Sequence, residues 1–189
     1  MFRKLLLITV LILISYLSAC AVGKVATRRN IEQFRGIDSM IVKFHFDKVC
    51  YNHLNRTFFC LNRDENTIYI YRKQLINTIG KSGFGNDNFR QVTDISVGVD
   101  GYLYALDSFD QSIKKFDSEG KFIGRAGISN VSSPQRFAIT QYGGFYVYDG
   151  HSREIVVLDP YDYTIRHSFG KFQIETVDNI SIAGDYVNI

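Results

Sequence analysis

Polar and apolar residues alternate along most of the chain with a period of two, broken at short intervals by turn residues. Ile95, Val97 and Val99 alternate up to Asp100-Gly101, "YLYALD" resumes the pattern, "SFDQS" breaks it, "IKKFD" restores it, "SEG" breaks it again, and "KFIGRAG" completes it. Period-two alternation predicts half-buried strands, and Asp-Gly between two such runs predicts a two-residue hairpin turn. The stretch reads as four short antiparallel strands in sequence.

A shift of 42 residues reproduces the pattern. Ile95 falls on Phe137, Val97 on Ile139, Gly101 on Gly143, Leu103 on Phe145, Tyr104 on Tyr146 and Asp107 on Asp149. Further on, Ile113 falls on Ile155, Phe116 on Leu158 and Asp117 on Asp159. A shift of 45 in the other direction gives a weaker copy, in which Ile95 meets Cys50, Leu103 meets Phe58, Tyr104 meets Phe59, Asp107 meets Asn62, Ile113 meets Ile68 and Phe116 meets Tyr71. Neither comparison needs a gap. A fourth copy starts at "NISIAGDYVNI", with Ile180 and Ile182 in place of Phe137 and Ile139. Four strands in a period of 42 to 45 residues predict propeller blades. The units fall at about 45–80, 90–127 and 132–170, and a fourth begins near Asn179. The fold class is therefore all-β: an incomplete β-propeller of about three four-stranded blades plus the start of a fourth. Because Ile189 falls inside the second strand of that fourth unit, the expectation is a truncated chain whose intact form has six blades, with self-association through open blade edges as a consequence.

"GKSGFGNDNF" at 80–89, followed by "DISVGVDGYLYALDSFDQSIKKFDSEGKFIGRAG", resembles the NHL-repeat β-propeller family. The family pattern is a Gly-rich link ending in Phe, a strand, a Gly turn, Tyr-x-x-Asp, a loop, and an apolar strand closed by Phe-Asp-x-x-Gly. Pro134 also sits where that family often has proline. The resemblance covers residues 45 to 189 and is strongest in the middle repeat. It implies a scaffold that binds a protein, peptide or glycan across its face. It leaves open the alternative of a propeller-type lyase or lactonase with a metal-dependent site.

The first twenty residues belong to none of this. "MFRKLLLITVLILISYLSAC" opens on Arg3 and Lys4, continues as a short apolar run, and ends on small residues. This is the layout of a secretory signal. The run from Leu5 to Ala19 is shorter than the ~20 residues that span a bilayer as a helix. "Leu-Ser-Ala-Cys" resembles the lipobox of bacterial lipoproteins. The resemblance implies a signal peptide over 1–19, lipid attachment at Cys20, a tether over 20–35 and a propeller over 36–189. Several acyl chains, at ~0.8 kcal/mol per buried methylene, would hold the protein firmly on a membrane. Ala21, in place of the aspartate that retains many such proteins at the inner membrane, favours the outer one, facing the periplasm of a bacterial cell envelope.

Composition adds little. Of 22 Lys and Arg against 19 Asp and Glu, Arg3 and Lys4 lie in the leader, so the remainder is nearly balanced and nothing points to nucleic acid. Asp107 and Asp149 each end a strand and start a turn. There a carboxylate accepts backbone N–H bonds, so a structural role is expected, with Gly101 and Gly143 supplying positive φ. The histidines His45, His53, His151 and His167 have no tight metal spacing, and no nucleophile elbow or phosphate loop is present. No catalytic residue, metal site or cofactor is predicted. In the repeat register Cys50 and Cys60 point to opposite sides of their hairpin, which favours two buried thiols over a disulfide.

Overall fold

A computed structural model describes residues 45–183 and 186–189. Strands β1 (Lys48–Asn52), β2 (Thr57–Asn62), β3 (Thr67–Tyr71) and β4 (Leu75–Gly80) form one antiparallel sheet in sequential order. A second sheet contains β5 (Val92–Val97), β6 (Leu103–Asp107), β7 (Ser112–Phe116) and β8 (Phe122–Gly127). A third contains β9 (Pro134–Ile139), β10 (Phe145–Asp149), β11 (Glu154–Leu158) and β12 (Ile165–Phe169). Strands β13 (Ser181–Ala183) and β14 (Tyr186–Asn188) pair antiparallel as the start of a fourth. The protein is an incomplete β-propeller with no helix among the described residues. The innermost strands β1, β5 and β9 lie next to one another, and β13 lies next to β9.

Each sheet is apolar on both faces, so its core forms only against a neighbour. Phe59, Leu61, Ile68 and Ile70 of the first blade pack on Ile95, Leu103 and Phe116 of the second. Leu106, Ile113 and Ala126 of the second pack on Phe137, Phe145 and Val147 of the third. Tyr148 and Ile155 of the third pack on Val177 and Ile180 at the threshold of β13. The outer strands carry less of this load, and every residue of β12 is exposed.

The turns correct two expectations. The loop at Asp100-Gly101 is not a two-residue turn. Gly98 N–H donates to Tyr102 O at 3.0 Å and Gly101 N–H to Gly98 O at 2.9 Å, with Gly101 at φ 77°. That is a three-residue loop with a left-handed third position, which glycine takes without strain. Thr140, Gly143 and Gly144 repeat it, with Gly143 at φ 85°. At Gly101 the space is also closed, because a Cβ there would lie 2.9 Å from Leu54 Cδ1 of the first blade.

The second correction concerns register. Ile95 pairs with Ala105 and Phe137 with Val147, so the shift of 42 holds without a gap. In the first blade Cys50 pairs with Phe59 and Val49 with Cys60. Its first turn is one residue longer, and Arg56 takes the left-handed position at φ 56°. The true equivalent of Ile95 is therefore Val49, not Cys50. The two thiols still face opposite ways. Cys50 packs toward the second blade and donates to Ile95 O at 3.4 Å, while Cys60 packs with Tyr69 and Tyr71 on the other face. Both are free, and burial pushes each up to about 11.

Candidate functional site

Two groups of side chains hold the links between blades. Asp107 is fully buried at the end of β6. Its carboxylate accepts from Arg90 N at 2.9 Å, Gln91 N at 3.0 Å and Asp110 N at 3.3 Å, and it lies 3.5 Å from the buried Lys114 ammonium. Asp149 at the end of β10 accepts from Ser132 N at 3.2 Å, Ser133 N at 3.0 Å and His151 N at 2.9 Å. Each aspartate thus reaches back to the link that precedes its own blade. In the first blade the place is taken by Asn62, which accepts from Glu65 N at 3.0 Å.

The second group reaches forward. Asn66, at φ 56° in the β2–β3 turn, donates to Phe89 O at 2.6 Å and accepts from Val92 N at 2.7 Å. Gln111, at φ 44° in the equivalent β6–β7 turn, donates to Val131 O at 3.0 Å and Ser132 O at 3.1 Å. Each link is therefore held from both sides: 89–92 by Asn66 and Asp107, and 131–133 by Gln111 and Asp149. A backbone segment outside the sheets has its polar groups satisfied in this way.

Corrected for the longer first turn, the repeat puts Lys48, Asp94 and Arg136 at one level of the three inner strands. Their pairing partners Leu61, Leu106 and Tyr148 are equivalent positions. Asp94 is fully buried and meets Lys48 Nζ at 2.7 Å. It also accepts from its neighbour Ile95 N at 3.0 Å and, across the interface, from Phe137 N of β9 at 3.0 Å. One carboxylate therefore joins β1, β5 and β9. Arg136 donates through Nε to Asp178 O at 2.9 Å and through Nη1 to Gln135 O at 2.8 Å.

Above this level, at the end of the array where β5 and β9 begin, lies a basin of about 510 Å³. Arg63 from the β2–β3 turn and Arg136 from β9 supply its two cations. Arg63 Nε donates to Thr93 O at 3.0 Å, and Asp47 is 3.9 Å from its Nη1. Burial first, and the charge of Arg63 second, lower the basicity of Arg136. An anion between the two would relieve the repulsion. Thr93 also lines the basin, and its hydroxyl oxygen is buried without a hydrogen-bond partner. Phe109 forms part of the wall and is 60% exposed, with the Arg90 guanidinium 3.7 Å from its ring centre. No Asp or Glu lines the basin.

The predicted site residues do not converge on this basin. Asp107 and Asp149 hold the links beneath its rim, whereas Gly101 and Gly143 lie in turns at the opposite end of the blades. All four histidines are exposed, and His53 and His151 are at opposite ends. Among the described residues no three His, Cys, Asp or Glu cluster as metal ligands. Cys20 lies outside the described residues. Lys48, Arg63, Asp94 and Arg136 were not singled out from sequence. The signal was present, since Asp94 and Arg136 are 42 apart, but a charge in an otherwise apolar alternation carries no label of its own.

No protein-family model and no curated protein matches the chain. Similar solved structures include hydrazine synthase of Kuenenia stuttgartiensis, with a TM-score of 0.55 and 16% identity over 79% of this chain and 43% of that one. Virginiamycin B lyase from Staphylococcus aureus gives a TM-score of 0.53 and 12% identity over 74% of this chain and 46% of that one. The chain spans less than half the length of each. At such identities the likeness is one of fold, a propeller.

Proposed function

We propose that this chain is the propeller part of a lipid-anchored binding protein of the bacterial cell envelope, and that ligands seat in the Arg63–Arg136 basin. The observation that carries the reading is the basin itself. Two guanidiniums from different blades share it, no acid lines it, and a buried hydroxyl beside them lacks a partner. Concave sites with few convergent polar groups are where ligands bind. The N-terminal pattern around Cys20 supports the anchoring half, and in this reading the propeller is held at the outer membrane, facing the periplasm. Asp107, Asp149, Gly101 and Gly143 act as architecture in this reading.

Amide NMR of the full chain in detergent micelles tests the basin. Inorganic phosphate, hexaglutamate and trigalacturonate are titrated separately. Shifts at Arg63, Thr93 and Arg136 with at least one probe support the reading. Shifts confined to the Gly101 and Gly143 end, or none at all, overturn it.

A further inference from the structure

We propose that the basin takes a carboxylated sugar, as a monomer unit of an acidic glycan; this rests on the reading above and narrows it. The volume is far more than one inorganic anion needs and lies in the range of small-molecule sites. The two guanidiniums suit a planar carboxylate: Arg63 Nε and Arg136 Nε and Nη1 already bond backbone carbonyls, which leaves the remaining Nη donors to meet it. The remaining lining is neutral and rich in hydroxyls and amides, including Gln91, Ser132, Ser133 and Gln135. Such groups hydrogen-bond a ring of hydroxyls and offer little to an apolar side chain. Phe109 and Pro134 are the apolar members of the lining. Arg90 covers one side of the Phe109 ring, and the ring is nevertheless 60% exposed. It can stack against the C–H face of a pyranose. A peptide anchor would need a deeper apolar pocket than two residues at the wall provide.

Isothermal titration on the full chain in detergent micelles tests this with trigalacturonate, neutral galactotriose, inorganic phosphate and hexaglutamate. Trigalacturonate is expected to bind at least tenfold more tightly than each of the others. Arg63→Gln and Arg136→Gln should each weaken it about tenfold or more, the scale of a lost charge-assisted contact. Phe109→Ala should weaken trigalacturonate and leave phosphate unchanged. Arg136→Lys, which keeps the charge without the fork, should fall between wild type and Arg136→Gln. Circular dichroism melts identify any variant that fails to fold, and Phe109→Ala, at an exposed position, then still decides. Equal binding of galactotriose, or equal binding of phosphate, overturns the sugar assignment. Tighter hexaglutamate binding that depends on Arg63 and Arg136 overturns the sugar and leaves the basin. If no probe depends on either arginine, both fall.

Discussion

Lys48 and Asp94 occupy the same position in neighbouring blades, and their charges meet at 2.7 Å with the carboxylate wholly out of water. Removing one charge of a buried pair leaves the other unpaired, at a cost of ~3–5 kcal/mol. Lys48→Met should therefore lower stability by about that amount. The double variant Lys48→Met/Asp94→Leu should be less destabilised than Lys48→Met alone, because no charge is stranded. It should still lose the Phe137 N–H acceptor. Urea titration of the wild type, Lys48→Met, Asp94→Leu and the double variant measures the coupling, and strictly additive losses would show that the pair has none.

Asp107 and Asp149 make similar backbone contacts and differ in one partner. Lys114 is buried beside Asp107, and the residue equivalent to it in the third blade is Val156. Asp107→Ala strands that ammonium and should cost about 3 kcal/mol or more. Asp149→Ala loses hydrogen bonds without stranding a charge and should cost ~1–3 kcal/mol. Thermal melts rank the two. Both aspartates hold N–H groups of the basin lining, Gln91 for Asp107 and Ser132 and Ser133 for Asp149, so any loss of ligand affinity should track the loss of stability; lost affinity with an unchanged melting temperature would make Asp107 a site residue.

The end opposite the basin carries its own pH response. Burial alone would raise the Asp100 carboxyl, but hydrogen bonds from Lys115, Tyr104 and the Tyr102 N–H outweigh it and hold the group below the usual carboxylate value. Lys115 Nζ is 2.8 Å and Tyr104 Oη 2.7 Å from the same oxygen. Burial first, with Asp100 adding to it against the opposing Lys115, pushes Tyr104 up to about 12. A depressed carboxyl stabilises the fold above its unfolded pKa of about 3.9 and loses that contribution as pH falls through the folded value. Carbon-13 NMR of the Asp100 carboxyl should show its midpoint move upward in Lys115→Met. A midpoint that stays put would mean the ammonium does not govern it.

Cys20→Ser tests the anchor separately from the fold. The variant should incorporate no labelled palmitate and leave the membrane fraction, while the propeller keeps its β-sheet circular dichroism. Acylated, membrane-bound Cys20→Ser protein would remove Cys20 as the attachment point.

The blades were legible because their signal is redundant. Alternation, turn residues and period agree over three copies, so the strand positions survive even where a copy is degenerate, as in the first blade. The register at Cys50 was not legible. A turn one residue longer, closed by Arg56 in the conformation that Gly101 and Gly143 adopt elsewhere, leaves no mark in composition. That single residue also hid the alignment of Lys48 with Asp94, and with it the charged level beneath the basin. Arg63 and Arg136 are 73 positions apart, and only the stacking of blades brings their guanidiniums to one cleft.

The links at 89–92 and 131–133, gripped from both sides, define where this array can be cut. A recombinant exchange made at a link would sever Asn66 from Val92 or Gln111 from Ser132, and strand both halves of a clasp. A crossover placed in the short turn between β5 and β6 keeps Asn66 with Val92 but severs Asp107 from Arg90 and Gln91. Every single crossover between residues 66 and 107, or between 111 and 149, therefore gives up one of the two grips on a link, and a graft has to restore that partner from its new host.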